Sequence, residues 1–177
     1  MASSSMMKWV FCPIDDKRVR RENFDCGVPE LNEYLQKYAR QNHKKGIAKT
    51  VVAIPAIPEE GNEDVAGYYS ISVGEIKREF LPEMYRRGLP RYPVPAILVG
   101  KLAVDVKMQG SGLGKKLLIN SFIKSLRISS EVGIFAVKVD AKNESAKAFY
   151  LKYGLIPLSN DPLSLFIPIA SIAKMLE

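Results

Sequence analysis

Three glycines within five residues, Gly110, Gly112 and Gly114, follow the apolar run Ala96 to Val104 and open an amphipathic stretch carrying Leu113, Leu117, Leu118, Phe122 and Leu126. A strand that turns through glycines into a helix is suited to hold a phosphate. Backbone without Cβ lets the ligand come close, and the first helical turn offers unpaired N–H groups with a partial positive charge. The candidate cradle is Gln109, Gly110, Ser111, Gly112, Leu113, Gly114 and Lys115. Spacing excludes two common phosphate motifs. A Walker loop needs four residues between its first glycine and a Gly-Lys-Ser/Thr end, whereas three separate Gly110 from Gly114, and Lys116 replaces the hydroxyl. The dinucleotide fingerprint needs glycine at position 115, which is lysine, and this unit follows a hairpin instead of opening a βαβ fold. A turn that merely caps a helix needs one glycine, not three.

A second group of residues runs from Asn143 to Gly154. Asn143 is a natural helix cap. Small Ala146 beside Phe149 leaves an apolar groove, and Tyr150 sets a phenol one turn beyond Ala146 on the same side. Taken alone, Ala146, Phe149, Tyr150 and Tyr153 also fit an aromatic core stripe.

The elements that must position these residues follow from pattern. Trp9 to Phe11 reads as an edge strand, with order expected from Lys8 onward and disorder over residues 1–7. Pro29 suits a first helical turn, and Leu31, Tyr34, Leu35, Tyr38 and Asn42 recur at helical spacing until Gly46, with Lys37, Arg40, Gln41 and Lys44 opposite. Thr50 to Ile54 and Val65 to Val73 form a hairpin around a loop at residues 55–63. Residues 75–95 are a basic, partly irregular connection holding Lys77, Arg78, Arg86, Arg87 and Arg91 among four prolines. Ala96 to Val104 is almost wholly apolar, as in a central strand covered on both faces. The helix Gly110 to Arg127, the strand Ile134 to Val139, the helix Asn143 to Tyr153, two short strands and a final helix from Pro168 follow. The order predicts a mixed sheet with interspersed helices, an α/β or α+β arrangement in one domain over residues 8–177.

A formal net charge of +7 favours polyanionic partners such as nucleic acid, an acidic protein or a phosphorylated cofactor. Cys12 and Cys26, the only cysteines, lack the spacing of a zinc or redox motif and read as reduced thiols, and no metal is expected. No run approaches the roughly 18 apolar residues of a membrane span, and Met1 to Met7 lack the apolar core of a signal peptide, so a soluble, cytoplasmic protein is expected.

Together, Gln109-x-x-Gly112-x-Gly114 after one strand and Asn143-x-x-Ala146-x-x-Phe149-Tyr150-x-x-x-Gly154 after the next resemble the two cofactor motifs of the GCN5-related N-acetyltransferases. The resemblance implies a mixed, mostly antiparallel sheet with splayed central strands flanked by helices, and acetyl-CoA as co-substrate. It implies that the backbone of Leu102, Ala103 and Val104 pairs with the pantetheine arm, that Gln109 to Lys115 cradle the pyrophosphate, that Asn143, Ala146 and Phe149 line the arm, and that Tyr150 lies beside the thioester sulfur. Gly154-Leu155 stands where the family more often has Gly-Phe.

A narrower resemblance spans nearly the whole chain. Phe24 to Gly27, Leu31 to Leu35, Val65 to Ser70 and Gly100 to Asp105 resemble the acetyltransferase toxins of bacterial toxin–antitoxin pairs. That likeness implies acetylation of aminoacyl-tRNA, arrest of translation, a ribbon-helix-helix antitoxin as partner, and a homodimer. It also implies that Lys37, Arg40, Lys44, Lys45 and Arg78, Arg86, Arg87 and Arg91 flank the acceptor cleft and contact RNA. Lys101 departs from the Arg usual at its position, which removes a bidentate guanidinium.

Such chemistry needs few side chains. An α-amino group, with a reference pKa of about 7.7–8.0, is partly neutral at cellular pH, so no strong base is required. His43, the only histidine, reads as a surface residue, and Tyr150 as the acid for the departing thiolate. Two other readings stay open, an acetyltransferase for a small-molecule or protein amine and a non-catalytic acyl-CoA-binding module.

Overall fold

A computed structural model describes residues 8–57 and 63–177. The expected disorder of residues 1–7 therefore lies outside the described residues, as does the middle of the 55–63 loop. Seven strands, β1 (Trp9–Pro13), β2 (Lys49–Pro55), β3 (Gly67–Ile76), β4 (Val94–Val104), β5 (Ala136–Asp140), β6 (Ile156–Pro157) and β7 (Ser164–Pro168), make one mixed sheet in the order β1-β2-β3-β4-β5-β7-β6. The expected edge strand at Trp9 is indeed at the edge. The chain packs as two compact units, one running through Ser70 and again from Lys101 to Ile119, the other from Ile71 to Gly100 and from Asn120 onward.

In the first unit β1 lies antiparallel to β2, with Trp9 opposite Pro55 and Pro13 opposite Val51. Leu31, Leu35, Val52, Ile54, Tyr68 and Ala103 share one apolar cluster with Phe24 and both cysteines. The cysteines are free and buried, and burial pushes both thiols up, so they behave as small apolar side chains.

The helix expected from Pro29 to Gly46 runs unbroken to Lys45 but changes type along its length, as α1 (Pro29–Glu33), a π-helical segment (Tyr34–Tyr38) and α2 (Ala39–Lys45). Pro29 does lie in the first turn, and Gly46 closes the end at φ 75°. The amide of Ala39 donates to the carbonyl of Tyr34, five residues back, which inserts one residue into the helical period. The buried stripe therefore runs Leu31, Leu35, Ala39, and Tyr38, expected on that stripe, is 45% exposed. His43 also departs from its expected surface position. Its side chain is 13% exposed, and Nδ1 accepts the Thr50 amide at 3.0 Å, tying α2 to β2.

In the second unit β4 runs parallel to β5, with Ala96 opposite Ala136 and Val99 opposite Val139. The ladder ends at Val99 while β4 continues to Val104, as splayed central strands require. A parallel pair needs a long crossover, supplied by α4 (Leu113–Ser129). Strand β7 is antiparallel to both β5 and β6. Ile76, Leu81, Ala96, Ala136 and Phe166 form this unit's core, with the Tyr85 ring edge-on to Phe166 at 5.3 Å. The short helices α3 (Glu83–Arg86), α5 (Glu144–Lys152) and α6 (Ile169–Met175) complete the unit.

Gly67, at the start of β3, is constrained by close packing. A Cβ there would stand 3.0 Å from the Ala103 carbonyl oxygen and 2.8 Å from Leu117 Cδ1. Gly67→Ala is expected to destabilise the protein by about 1–3 kcal/mol, because a backbone carbonyl cannot move aside. Urea unfolding should report this as a lower midpoint with an unchanged m-value.

Candidate active site

In the first unit the turn before α4 is built from backbone that only glycine adopts readily. Gly110 has φ 81° and Gly112 φ 88°. A Cβ added at either position would meet nothing within 4 Å, so the backbone conformation demands these glycines and the space before them is open. The helix begins at Leu113, three residues later than expected, because positive φ at Gly110 and Gly112 breaks the helical path. Its ladder starts with Lys116 N donating to Gly112 O at 3.2 Å, and the amides just ahead are those a helix start leaves without an intrahelical acceptor.

Two of the expected ligand side chains are engaged with the turn itself. The Ser111 hydroxyl donates to the Met108 carbonyl. Gln109 Nε2 donates to the Val104 carbonyl at 3.0 Å and to the Cys26 carbonyl at 3.1 Å. The amide of Gln109 thus fastens the turn to the segment that precedes α1. Asp105 completes the fastening, since its buried carboxylate accepts from the Asp25 and Lys107 amides at 3.1 and 2.9 Å, and Val106 N donates to Asp25 O at 2.8 Å. Asp25 in turn accepts from Gly27 N and Asn32 Nδ2, each at 2.9 Å, which holds its carboxyl below the usual range. Asp25, Asn32 and Asp105 were given no role from sequence. Their signal was the motif Asp25-Cys26-Gly27 ahead of Asn32, whose short polar side chains can bond nearby amides.

Lys101, on β4, places its ammonium 4.1 Å from the centre of the Tyr34 ring. Tyr34 stacks on Tyr68 at 6.4 Å and its hydroxyl lies 3.4 Å from Ser70 Oγ. Beyond Lys101, Leu102 and Val104 are half-buried and Ala103 is buried. Lys37, Arg40, Lys44 and Lys45 are all exposed, with Lys37 3.4 Å from Glu33.

In the second unit Asn143 is extended, and its Oδ1 accepts the Ala146 amide at 2.9 Å, capping α5. The half-exposed Phe149 ring packs 5.3 Å from Tyr150 and 5.1 Å from Tyr153. Tyr150 is 5% exposed, and burial followed by the Asp140 carboxylate pushes its phenol up to about 12. Asp140 accepts the Ser164 hydroxyl at 2.7 Å and lies 3.9 Å from Lys138 Nζ. The arginines divide. Arg87 and Arg91 are exposed, whereas Arg78 and Arg86 are half-buried, with Arg78 Nη donating to the Arg86 carbonyl at 3.5 Å. Among the described residues, no group of three or more His, Cys, Asp or Glu could hold a metal ion, and no helix is long and apolar enough to cross a membrane.

No protein-family model matches the chain. It is 34% identical over 145 residues to a tRNA-acetylating toxin of Mycobacterium tuberculosis, covering 82% of this chain and 83% of the relative. It is 28% identical to the probable toxin TacT of Sinorhizobium fredii, over 99% of both chains. The solved structure of AtaT with acetyl-methionyl-tRNA superposes with a TM-score of 0.87 at 29% identity, covering 96% of this chain and all (100%) of that one. A tyrosine-to-phenylalanine mutant of AtaT bound to acetyl-CoA and the C-terminus of the antitoxin AtaR gives a TM-score of 0.79 at 26% identity, over 96% and 98%.

If the glycine turn meets a pyrophosphate, acetyl-CoA at 100 times its Kd should stabilise the fold by about 2.7 kcal/mol, roughly 5–10 °C in Tm. Gly112→Asp should abolish that shift. Gly46→Asp, at another open glycine with φ 75°, introduces the same backbone strain far along the chain and should retain it. Equal shifts in both variants would remove the turn from the cofactor site.

Proposed function

Because the chain belongs to the family of tRNA-acetylating toxins, we propose that it transfers the acetyl group of acetyl-CoA to the α-amino group of an aminoacyl-tRNA and so blocks translation. The observation that carries the reading is the pair of positive-φ glycines, Gly110 and Gly112, opening directly into the 17-residue helix α4 with free space before them. That arrangement suits a pyrophosphate. In this reading the backbone of Leu102 to Val104 takes the pantetheine arm as an added strand, using the stretch of β4 that runs past its ladder with β5. Gln109 to Lys115 cradle the phosphates mainly through backbone amides, and Asn143, Ala146 and Phe149 line the arm. Residues 8–177 act as one acetyltransferase domain.

The reaction begins when the neutral amine nitrogen attacks the thioester carbon and forms the C–N bond. Backbone N–H groups stabilise the oxyanion. Collapse breaks the C–S bond, and Tyr150 supplies the proton that sulfur needs. A phenol held near 12 keeps its proton throughout the working range, but it cannot easily protonate a finished thiolate whose own pKa is about 8.5. Tyr150 therefore serves as a relay, giving its proton to sulfur as it takes the surplus proton from the newly acylated nitrogen. The products are the amide and free CoA thiol, and the phenol is restored.

The partner is an antitoxin, as the complex of AtaT with the C-terminus of AtaR supports, and we read it as a ribbon-helix-helix protein bound to a homodimer in the cytoplasm. The exposed Lys37, Arg40, Lys44, Lys45, Arg87 and Arg91 contact RNA phosphates. Arg78 and Arg86, half-buried as they are, contribute less directly.

Labelled acetyl-CoA and total aminoacyl-tRNA test the reading, with acetyl-aminoacyl-tRNA as the expected product. Tyr150→Phe should lower turnover by roughly 10²–10⁴ while acetyl-CoA still shifts Tm, because the ring stays and only the hydroxyl goes. Wild-type turnover in that variant would return Tyr150 to a packing role. Affinity for aminoacyl-tRNA should fall steeply with salt, and Lys44→Ala or Arg87→Ala should each reduce the slope of log K against log salt by about one. Salt-independent activity would instead favour a small-molecule or protein amine as acceptor.

A further inference from the structure

The π-helical segment decides what the first helix offers to solvent. In an uninterrupted α-helix Tyr38 would join Leu31 and Leu35 on the buried side, seven and three residues on. The extra residue turns it outward and puts the fully buried Ala39 in its place. Among the described residues of the first unit, Tyr38 is the one aromatic among the exposed large apolar side chains. Its immediate surroundings are cationic and polar. Lys37, Arg40, Gln41, Lys44 and Lys45 are all exposed, and no acidic residue lies between Glu33 and Gly46. Among the described residues Lys37 pairs with Glu33, across an exposed contact of 3.4 Å that is weak enough to exchange for a phosphate.

We propose that Tyr38 is a stacking platform for an unpaired nucleobase of the RNA that carries the acceptor, with Lys37, Arg40 and Lys44 on the adjoining phosphates. The inference rests on RNA being the carrier, and adds a contact to the base. Single-stranded RNA is bound by this combination, an exposed ring face that takes a base and cations that follow the backbone. Every base has a π-face, so the contact favours an unpaired end over a duplex without choosing the sequence. A protein partner is the competing occupant. The cationic surroundings favour RNA, since the core of a protein interface is depleted of charged side chains.

The test compares Tyr38→Ala, Tyr38→Phe and Tyr38→Trp in the full chain. For each, kcat/KM is measured on an aminoacyl-tRNA and on the methyl ester of the same amino acid, which has the amine but no base or phosphate. Thermal unfolding verifies the fold. Tyr38→Ala should lower the ratio of tRNA to ester activity by roughly 5- to 150-fold, the loss of about 1–3 kcal/mol for one stacked base. Tyr38→Phe and Tyr38→Trp, which keep a ring, should hold the ratio near that of the wild type. An unchanged ratio in Tyr38→Ala overturns the proposal, and so does Tyr38→Phe falling as far as Tyr38→Ala. Wild-type protein that acetylates the ester but no aminoacyl-tRNA overturns the carrier reading and this inference together. Wild-type activity on tRNA with an indifferent Tyr38→Ala overturns this inference alone.

Discussion

The amide of Gln109 donating to the Val104 and Cys26 carbonyls is the interaction on which the candidate cofactor turn depends, because three glycines in five residues cannot hold a shape by themselves. Glycine admits positive φ at the cost of the largest backbone entropy of any residue. A phosphate cradle nevertheless has to be in place before its ligand arrives. The rigidity comes from outside the turn. Asp105 binds the amides of Asp25 and Lys107, and Asp25 is closed upon itself by Gly27 and Asn32. Each buried polar group here has a partner, as a low-dielectric interior requires. The same bonds set the start of α1, so the segment that precedes the exposed basic helix face and the glycine turn are one piece of structure.

The second unit follows a different logic around Tyr150. Its phenol is buried and faces a carboxylate, both of which favour the protonated form. Asp140 is itself held by the Ser164 hydroxyl and lies near Lys138, so its charge has a fixed position. The Asn143 cap starts α5 at a defined residue and thereby sets where Tyr150 falls on the helix. An environment that withholds the proton from solvent suits a relay between two partners better than a free acid.

Lysine at position 101 illustrates how a charge can be kept without a carboxylate. Its ammonium rests on the Tyr34 face, and Tyr34 is supported by Tyr68, whose hydroxyl donates to the Leu31 carbonyl at 2.7 Å. A guanidinium at this position could add two directed hydrogen bonds; the ammonium offers a compact charge on a flexible stem. The tower of rings beneath it also fixes the first turn of the π-helical segment at Tyr34.

The parts of this protein legible in the sequence are those set by rules that act within a turn or two of chain. The glycines at 110 and 112, the Asn143 cap, Pro29 at a helix start and the apolar run of β4 all follow from local stereochemistry and period, and they mark the candidate cofactor turn and the order of elements. What only the tertiary structure decided is where polar side chains find partners and which faces are covered. Gln109 meets Cys26 across 83 residues and Asp105 meets Asp25 across 80, distances over which a sequence pattern carries no register. His43 is recruited by Thr50 of β2, and the π-helical segment exposes Tyr38 because core packing around Leu35 and Ala39 outweighs a regular helical period. The raised pKa of Tyr150 belongs to the same class, since desolvation is a property of the assembled surroundings and of no residue alone.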